Sequence, residues 1–284
     1  MPFSLFLFTV FPALLCISSC KDETARPELP QRIEILGIEL RKVEPGTFAM
    51  GMSELDERIE PYEGVRSVEI TQTYYLGMHE ITQSVWEKVM GSNPSNFKGK
   101  ELPVENVTWK ESMAFCEALN KKIKSSKTLP KGMRFRLPSE AEWAFAARVD
   151  GNALRRFAWG DDFPPSAVVT NVADNTSAFV TGRILNGYAD QFVVSAPVGS
   201  FPANHRGLHD MGGNVAEWVH DGYSIPSPNA ELAIDPLGAQ RGDNYTIRGG
   251  SWALSRLSEL RLTFRACGER GRDDLGFRIA RYAE

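Results

Sequence analysis

Asp210 and Glu217 flank the run Gly212-Gly213-Asn214, and residues of these types at this spacing can do metal chemistry. The two glycines let the backbone take positive φ and approach closely. Both carboxylates can then turn inward, with main-chain carbonyls between them. Hard oxygen donors of mixed side-chain and main-chain origin suit Ca2+. The same carboxylates would serve as turn caps or arginine partners, and the sequence leaves both readings open. His205 and His209 are four residues apart, a spacing that on a helix would suit zinc, but Gly207 between them points to a loop. They and the isolated His220 read as ordinary polar residues. No Ser-His-Asp or phosphate-loop pattern is present.

The cysteines divide by position. Phe3 to Ile17 is almost wholly apolar, broken only by Ser4, Thr9 and Pro12. That run is too short to span a bilayer comfortably and has the form of a signal-peptide core. It ends at Ile17-Ser18-Ser19-Cys20, which resembles a bacterial lipobox, although Met1 to Ser4 lacks the usual Lys or Arg. Residues 1–19 are expected to be a lipoprotein signal peptide, with Cys20 the acylated N-terminus of the mature protein. Residues 20–35 are expected to form a charged tether and 36–284 one domain. Several acyl chains on one cysteine anchor a protein stably, where one does not. The expected location is the bacterial cell envelope, at the outer membrane or cell surface. Cys116 and Cys267 either pair or remain two separate buried thiols, since sequence does not give the geometry a disulfide needs.

A hydrophobic fraction of 42% supplies a real core. The net charge is −4 and no basic run exceeds Lys121-Lys122, which argues against nucleic acid as a partner. The elements that must position the candidate residues are short. Ile38 to Met50, interrupted by Pro45-Gly46, reads as strand, turn, strand. Val68 to Leu76 suggests further strand. Glu80 to Met90 reads as a helix capped by Thr82, with Asn93-Pro94 beyond its end. Thr108-Trp109-Lys110-Glu111 and Ser139-Glu140-Ala141-Glu142 have the form of capping boxes that open two more helices. After Asp150 the chain shows no long helical pattern, only Gly, Pro, Asn and Asp clusters between short apolar runs.

Several strings in order carry a resemblance. They are Val104-Glu105-Asn106-Val107-Thr108-Trp109, Arg136-Leu137-Pro138-Ser139-Glu140-Ala141-Glu142-Trp143, Phe157-Ala158-Trp159-Gly160, and Ala196-Pro197-Val198-Gly199-Ser200-Phe201-Pro202-Ala203-Asn204. Gly207-Leu208-His209-Asp210-Met211-Gly212-Gly213-Asn214-Val215-Ala216-Glu217-Trp218, Arg248-Gly249-Gly250-Ser251-Trp252 and Gly276-Phe277-Arg278 follow. Over about residues 36 to 282 the chain resembles the formylglycine-generating enzyme, or sulfatase-modifying factor, family. That resemblance implies an α+β fold, a variant of the C-type lectin fold with little regular secondary structure. It also implies two calcium sites. One maps to Asp210, the Gly213 and Val215 carbonyls, and Glu217. The other maps to Asn171, the Val172 carbonyl, Asp190 and the Phe192 carbonyl.

The resemblance places the family's active cleft at Arg248 to Trp252. The family's enzyme oxidises a substrate cysteine through two thiolates that hold copper(I), a soft ion that thiolates select. Their places fall at Leu254 and Glu259, so copper is not expected. A fold does not by itself confer an activity. The leading expectation is a non-catalytic lipoprotein that binds a protein or small molecule, with Trp252, Leu254, Arg256, Glu259 and Arg261 lining the cleft. Internal salt bridges are an equal expectation for Arg261 and Arg265. An enzyme with altered chemistry is one alternative, with Ser251 and Arg265 its first candidates. A structural subunit of an envelope secretion or gliding machine is the other.

Overall fold

The computed structural model describes residues 1, 29–51, 64–125, 134–226, 231–238 and 244–282. The signal peptide and Cys20 lie outside them. The chain opens with β1 (Arg32–Ile35), β2 (Ile38–Val43), β3 (Gly46–Met50), β4 (Arg66–Ile70) and β5 (Tyr74–Gly77). Helices α1 (Gln83–Met90) and α2 (Trp109–Ser125), strand β6 (Phe135–Arg136) and helix α3 (Glu140–Arg148) follow. The later chain carries only short elements: β7 (Val149–Asp150), β8 (Ala153–Leu154), α4 (Ala178–Thr181), β9 (Ala216–Gly222), β10 (Ala233–Ile234), β11 (Tyr245–Arg248), α5 (Leu257–Leu260), β12 (Ala266–Gly268), β13 (Leu275–Gly276) and β14 (Ala280–Tyr282). This is the helices-early, loops-late α+β pattern expected from the sequence.

The strands form a five-stranded sheet in the order β1-β2-β5-β14-β6, a four-stranded sheet β12-β11-β9-β13, a three-stranded sheet β10-β4-β3 and the β7-β8 ribbon. Two boundaries differ from expectation. Arg32 to Ile35, expected in the tether, pairs antiparallel with Ile38 to Arg41 as the edge of the largest sheet. β2 and β3 are separated by only two residues yet enter different sheets, β2 against β5 and β3 against β4.

Local chemistry sets the helix starts. Thr82 caps α1 by accepting from the Val85 amide. At α2 the Thr108 hydroxyl accepts from the Glu111 amide, and the Glu111 carboxylate accepts from Thr108 N at 2.8 Å. Ser139 and Glu142 form the reciprocal capping box of α3. One core cluster gathers around Trp86 and Phe115, which stack at 5.4 Å while Phe277 meets both edge-on. A second surrounds Trp143 on α3, which is buried on every face. These clusters fix the segments that carry the site: the end of β11, the 208–218 loop and strand, and the stretch after β13. Among the described residues no helix is long and apolar enough to cross a membrane.

Candidate functional site

The cleft forms where β11 runs into Gly249-Gly250-Ser251-Trp252. The Trp252 amide donates to Asn214 O at 2.8 Å, and its indole stands edge-on to Phe97 at 5.8 Å. Beside it is a cavity of about 490 Å³ lined by Trp252, Leu254, Phe264, Val180, Arg183 and Asp273, among others. Its lining residues include no thiol. Leu254 occupies the wall as an apolar side chain. Glu259 does not line the cavity and accepts instead from Arg183 Nη1 at 2.9 and 3.1 Å, tying the 178–183 segment to α5. A leucine and an ion-paired carboxylate are not donors for a soft copper(I) ion.

The remaining residues expected in the cleft separate. Arg256 is exposed and absent from the lining. Arg261 is buried away from it, with its Nε on Ser258 O at 3.4 Å. Arg265 is buried too, and donates to Glu140 from Nε at 2.5 Å and from Nη2 at 2.9 Å. Its expected internal salt bridge is therefore present, and it is a structural ion pair rather than a reactive group. Ser251 is fully buried and its hydroxyl donates to Asp274 Oδ2 at 2.7 Å. Asp274 is itself held by Arg272 at 2.7 Å. Ser251 does not line the cavity, and its hydroxyl is held on a carboxylate that is already paired with an arginine, which is a structural placement. Cys116 and Cys267 do not pair. Cys116 is buried on α2, where burial pushes its thiol up to about 12. Cys267 is exposed on β12, so the expectation of two buried thiols holds for one only.

Behind the cleft, Glu140 collects three arginines: Arg265, Arg248 at 3.3 Å and Arg66 at 3.8 Å. Asp221 joins this group by accepting from Glu140 N at 2.7 Å. Burial, then the neighbouring Glu140 carboxylate, pushes Asp221 up to about 8. It therefore binds a proton in the fold at neutral pH that it would release when unfolded. A carboxyl raised on folding contributes stability fully present below its unfolded value of 3.8 and lost as pH rises through about 8. Asp221→Asn is expected to flatten the decline in stability between about pH 5 and 8, read from urea midpoints at several pH values.

The calcium candidates occupy two adjoining clusters. In the first, Asp210 (φ 57°) is buried and accepts from Gly199 N at 2.9 Å. Glu217 on β9 faces Arg278, which follows its partner strand β13, with Nε–Oε2 at 2.7 Å and Nη2–Oε1 at 2.7 Å. Trp143 Nε1 donates to the same carboxylate at 3.0 Å. Asp210 thus caps a turn and Glu217 meets an arginine, the alternative roles open from the sequence. A third carboxylate, Glu80, was not anticipated. It is buried just before Thr82, and its Oε1 accepts from Asn214 Nδ2 at 3.1 Å. Its Oε2 has no hydrogen-bond partner among the described residues. Burial pushes the Glu80 and Asp210 carboxyls up.

In the second cluster Asp190 accepts from the Val172 and Phe192 amides, both at 2.9 Å, and burial pushes it up to about 6. Asn171 donates from Nδ2 to Val194 O at 2.8 Å, while its buried Oδ1 has no hydrogen-bond partner among the described residues. Asn214 joins the clusters, since its amide donates to Asn171 O at 2.9 Å. Gly213 makes that contact possible. At its φ of 153°, a Cβ would fall 2.0 Å from Thr170 Oγ1 and 2.7 Å from Asn171 O. Among the described residues no three Asp, Glu, His or Cys side chains converge to hold an ion. A cation here would depend on carbonyl and amide oxygens as well, which is the donor set of calcium rather than zinc. The unsatisfied Asn171 Oδ1 and Glu80 Oε2 fit such an ion, because buried acceptors are rarely left unpaired. His209 binds Phe201 O at 2.8 Å and stacks on His79 at 4.7 Å, a packing role.

Residues 36–283 match the family described as "Sulfatase-modifying factor enzyme 1-like domain". A chaperone protein, LppX, of Paenibacillus barcinonensis is 32% identical over 64% of the chain and 70% of its own length. The formylglycine-generating enzyme of Streptomyces coelicolor is 32% identical over 70% of the chain, but the match spans only 59% of that enzyme. A mouse protein named inactive C-alpha-formylglycine-generating enzyme 2 is 29% identical over 70% of the chain and 56% of its own length. Among solved structures, Treponema denticola variable protein 1 matches with a TM-score of 0.73 at 23% identity, covering 88% of this chain and 99% of that one. PvdO from Pseudomonas aeruginosa matches with a TM-score of 0.68, also at 23% identity, covering 90% and 100%. Likenesses at that identity bear on the fold alone, which is the α+β formylglycine-generating-enzyme type of C-type lectin fold.

Proposed function

The chain belongs to the sulfatase-modifying factor family, and from that premise we propose that it is a non-catalytic, lipid-tethered binding protein of the bacterial envelope. One observation carries the reading: Leu254 in the cleft wall and the Arg183-bound Glu259 outside it stand at the two places where copper chemistry needs thiolates. What remains is a cavity of mixed character, with Trp252, Leu254 and Phe264 in its wall beside Arg183, Arg272 and Asp273. Aromatic and arginine side chains of this kind dominate recognition surfaces. The name of the Paenibacillus relative, a chaperone, favours a protein partner over a small molecule. The name of the mouse relative favours loss of oxidation. The lipid on Cys20 would hold the domain at the membrane.

Calcium belongs to the same reading. One ion would sit at Asp210, the Gly213 and Val215 carbonyls and Glu217. A second would sit at Asn171, the Val172 carbonyl, Asp190 and the Phe192 carbonyl. Bound there, calcium supplies charge neutralisation and cross-links long loops, leaving recognition to the cleft.

The test expresses three versions of the full chain in a bacterial host and isolates them with whatever they hold. The natural chain is expected in the membrane fraction with a partner. Cys20→Ser is expected in the soluble fraction. Leu254→Arg is expected in the membrane fraction without the partner. Leu254→Arg retaining every partner of the natural chain contradicts the binding role of the cleft, and membrane retention of Cys20→Ser contradicts the tether.

A further inference from the structure

Another cavity, of about 320 Å³, opens between the end of α3, the 155–160 turn and the 202–212 loop. It shares no lining residue with the Trp252 cavity. Buried Ala147, Leu208 and Met211 give it an apolar floor. Its volume is at the lower end of ligand pockets, which suits one ring-sized group. Trp159 stands in the wall on a tight turn, closed by Phe157 N to Gly160 O at 2.8 Å and Gly160 N to Phe157 O at 3.2 Å. Its ring is fixed twice over. Phe157, which does not line the cavity, stacks parallel to it at 4.9 Å, and its Nε1 donates to Asp162 O at 2.9 Å. An aromatic ring already held in place loses little freedom when a ligand packs on it.

The polar groups of the lining are placed by the β7-β8 ribbon. Asp150 ends β7 and Arg155 follows β8, and Arg155 N donates to Arg148 O at 2.9 Å to extend the pairing. Arg155 then spans Asp150 Oδ2 with Nη2 at 2.6 Å and Nε at 3.1 Å, both side chains about one-third exposed. Arg155 Nη1 also reaches Asp161 at 3.3 Å, so the guanidinium is not free for an anionic ligand. Asp150 is occupied by that guanidinium, and Asp210 accepts from Gly199 N at 2.9 Å, so neither waits for a cation. His205 completes the polar side as a neutral ring, lowered by burial and then by Arg206. What the lining offers is an acceptor beside donors. A hydroxyl both donates and accepts, so two neighbouring hydroxyls satisfy such a pair without carrying charge.

We propose that this cavity binds one pyranose ring of a neutral glycan, packed on Trp159 with two neighbouring hydroxyls on the Asp150–Arg155 pair. A sugar ring has the two surfaces the cavity asks for. Its C–H bonds present hydrogens to the electron-rich face of an indole, and its edge carries adjacent hydroxyls. The site is separate from the cleft, and the proposal stands whether or not the cleft binds a protein.

Saturation-transfer NMR on the full chain, in a detergent without sugar headgroups, tests this with the methyl glycosides of glucose, galactose and mannose. At least one is expected to bind, with the strongest transfer to ring protons on one face. Trp159→Ala is expected to abolish the transfer. Because Trp159 also packs on a core cluster, Arg155→Gln carries the test by itself. That side chain is 39% exposed, its loss leaves the fold intact, and binding is expected to weaken roughly tenfold or more. Glu101→Gln, outside this cavity, is expected to leave binding unchanged. Affinity within twofold of the natural chain in Arg155→Gln overturns the proposal. So does the absence of transfer to all three probes, since each carries the ring and the adjacent hydroxyls that the site is said to read. Methyl glucuronide and methyl glucosaminide keep the ring and add a negative or a positive charge. Either one bound tenfold more tightly than the neutral glycosides overturns the neutral class of ligand.

Discussion

Glu140→Ala is expected to cost about 3–5 kcal/mol, the loss that follows when one partner of a buried ion pair is removed. The side chain is buried at the start of α3, and Arg265, Arg248 and Arg66 all point at it. Burial alone would raise this carboxyl, but Arg265, then Arg248 and Arg66, outweigh it and hold it below the usual range. The alanine variant would leave the buried Arg248 and Arg265 without their carboxylate. For a chain of this size the loss corresponds to a fall in Tm of roughly 10 °C or more. The Arg183–Glu259 pair gives the contrast. Arg183 is 39% exposed there, and Arg183→Ala is expected to cost less than about 1 kcal/mol. Urea unfolding of both variants checks the difference. A loss below about 1 kcal/mol for Glu140→Ala would show that the network contributes nothing net. The sign with pH follows: a carboxyl lowered on folding contributes stability present above its unfolded value and lost as pH falls through its folded one. Glu140 therefore favours neutral over acid conditions, opposite to Asp221.

Removal of calcium is expected to have an effect of similar size. Ligand binding to the folded state alone stabilises by about 4 kcal/mol at a thousandfold excess over Kd. Thermal melts in excess calcium and in excess chelator are expected to differ by roughly 10 °C. Magnesium is expected to restore little of this, since it demands tighter octahedral geometry and dehydrates reluctantly. Gly213→Ala should erase the calcium response, because its Cβ would strike Thr170 and Asn171 between the clusters. Identical melts with calcium and with chelator would remove calcium from the account.

The starts of the helices were legible because their signals are local. Thr82, Thr108 and Ser139 each cap the helix that follows within three residues. Sheet membership was not legible. The turn at Pro45-Gly46 looks like a hairpin, but β2 and β3 part company because β5 and β4 claim them separately. The C-terminal β14 also lies between β5 and β6, a pairing with no local signature. The cleft was half legible. Trp252 and Leu254 line it, as their place after Arg-Gly-Gly-Ser implied, while Arg261 and Arg265 turn inward. Arg265 meets Glu140 across 125 residues, a pairing that depends on how β11, β12 and α3 pack. Glu80 was missed for the same reason. Two residues before a capping threonine it carries no local signature, and only the tertiary fold sets it against Asp210.

Direct assay of cysteine oxidation tests the central claim most plainly. A peptide carrying a sulfatase-type cysteine would be incubated with the purified domain, copper(I), a reductant and oxygen, and its mass followed. The cleft described here predicts that the peptide keeps its thiol while an active family enzyme in parallel converts it. Formylglycine in the peptide, formed at a rate that depends on the concentration of this protein, would contradict a binding role without catalysis.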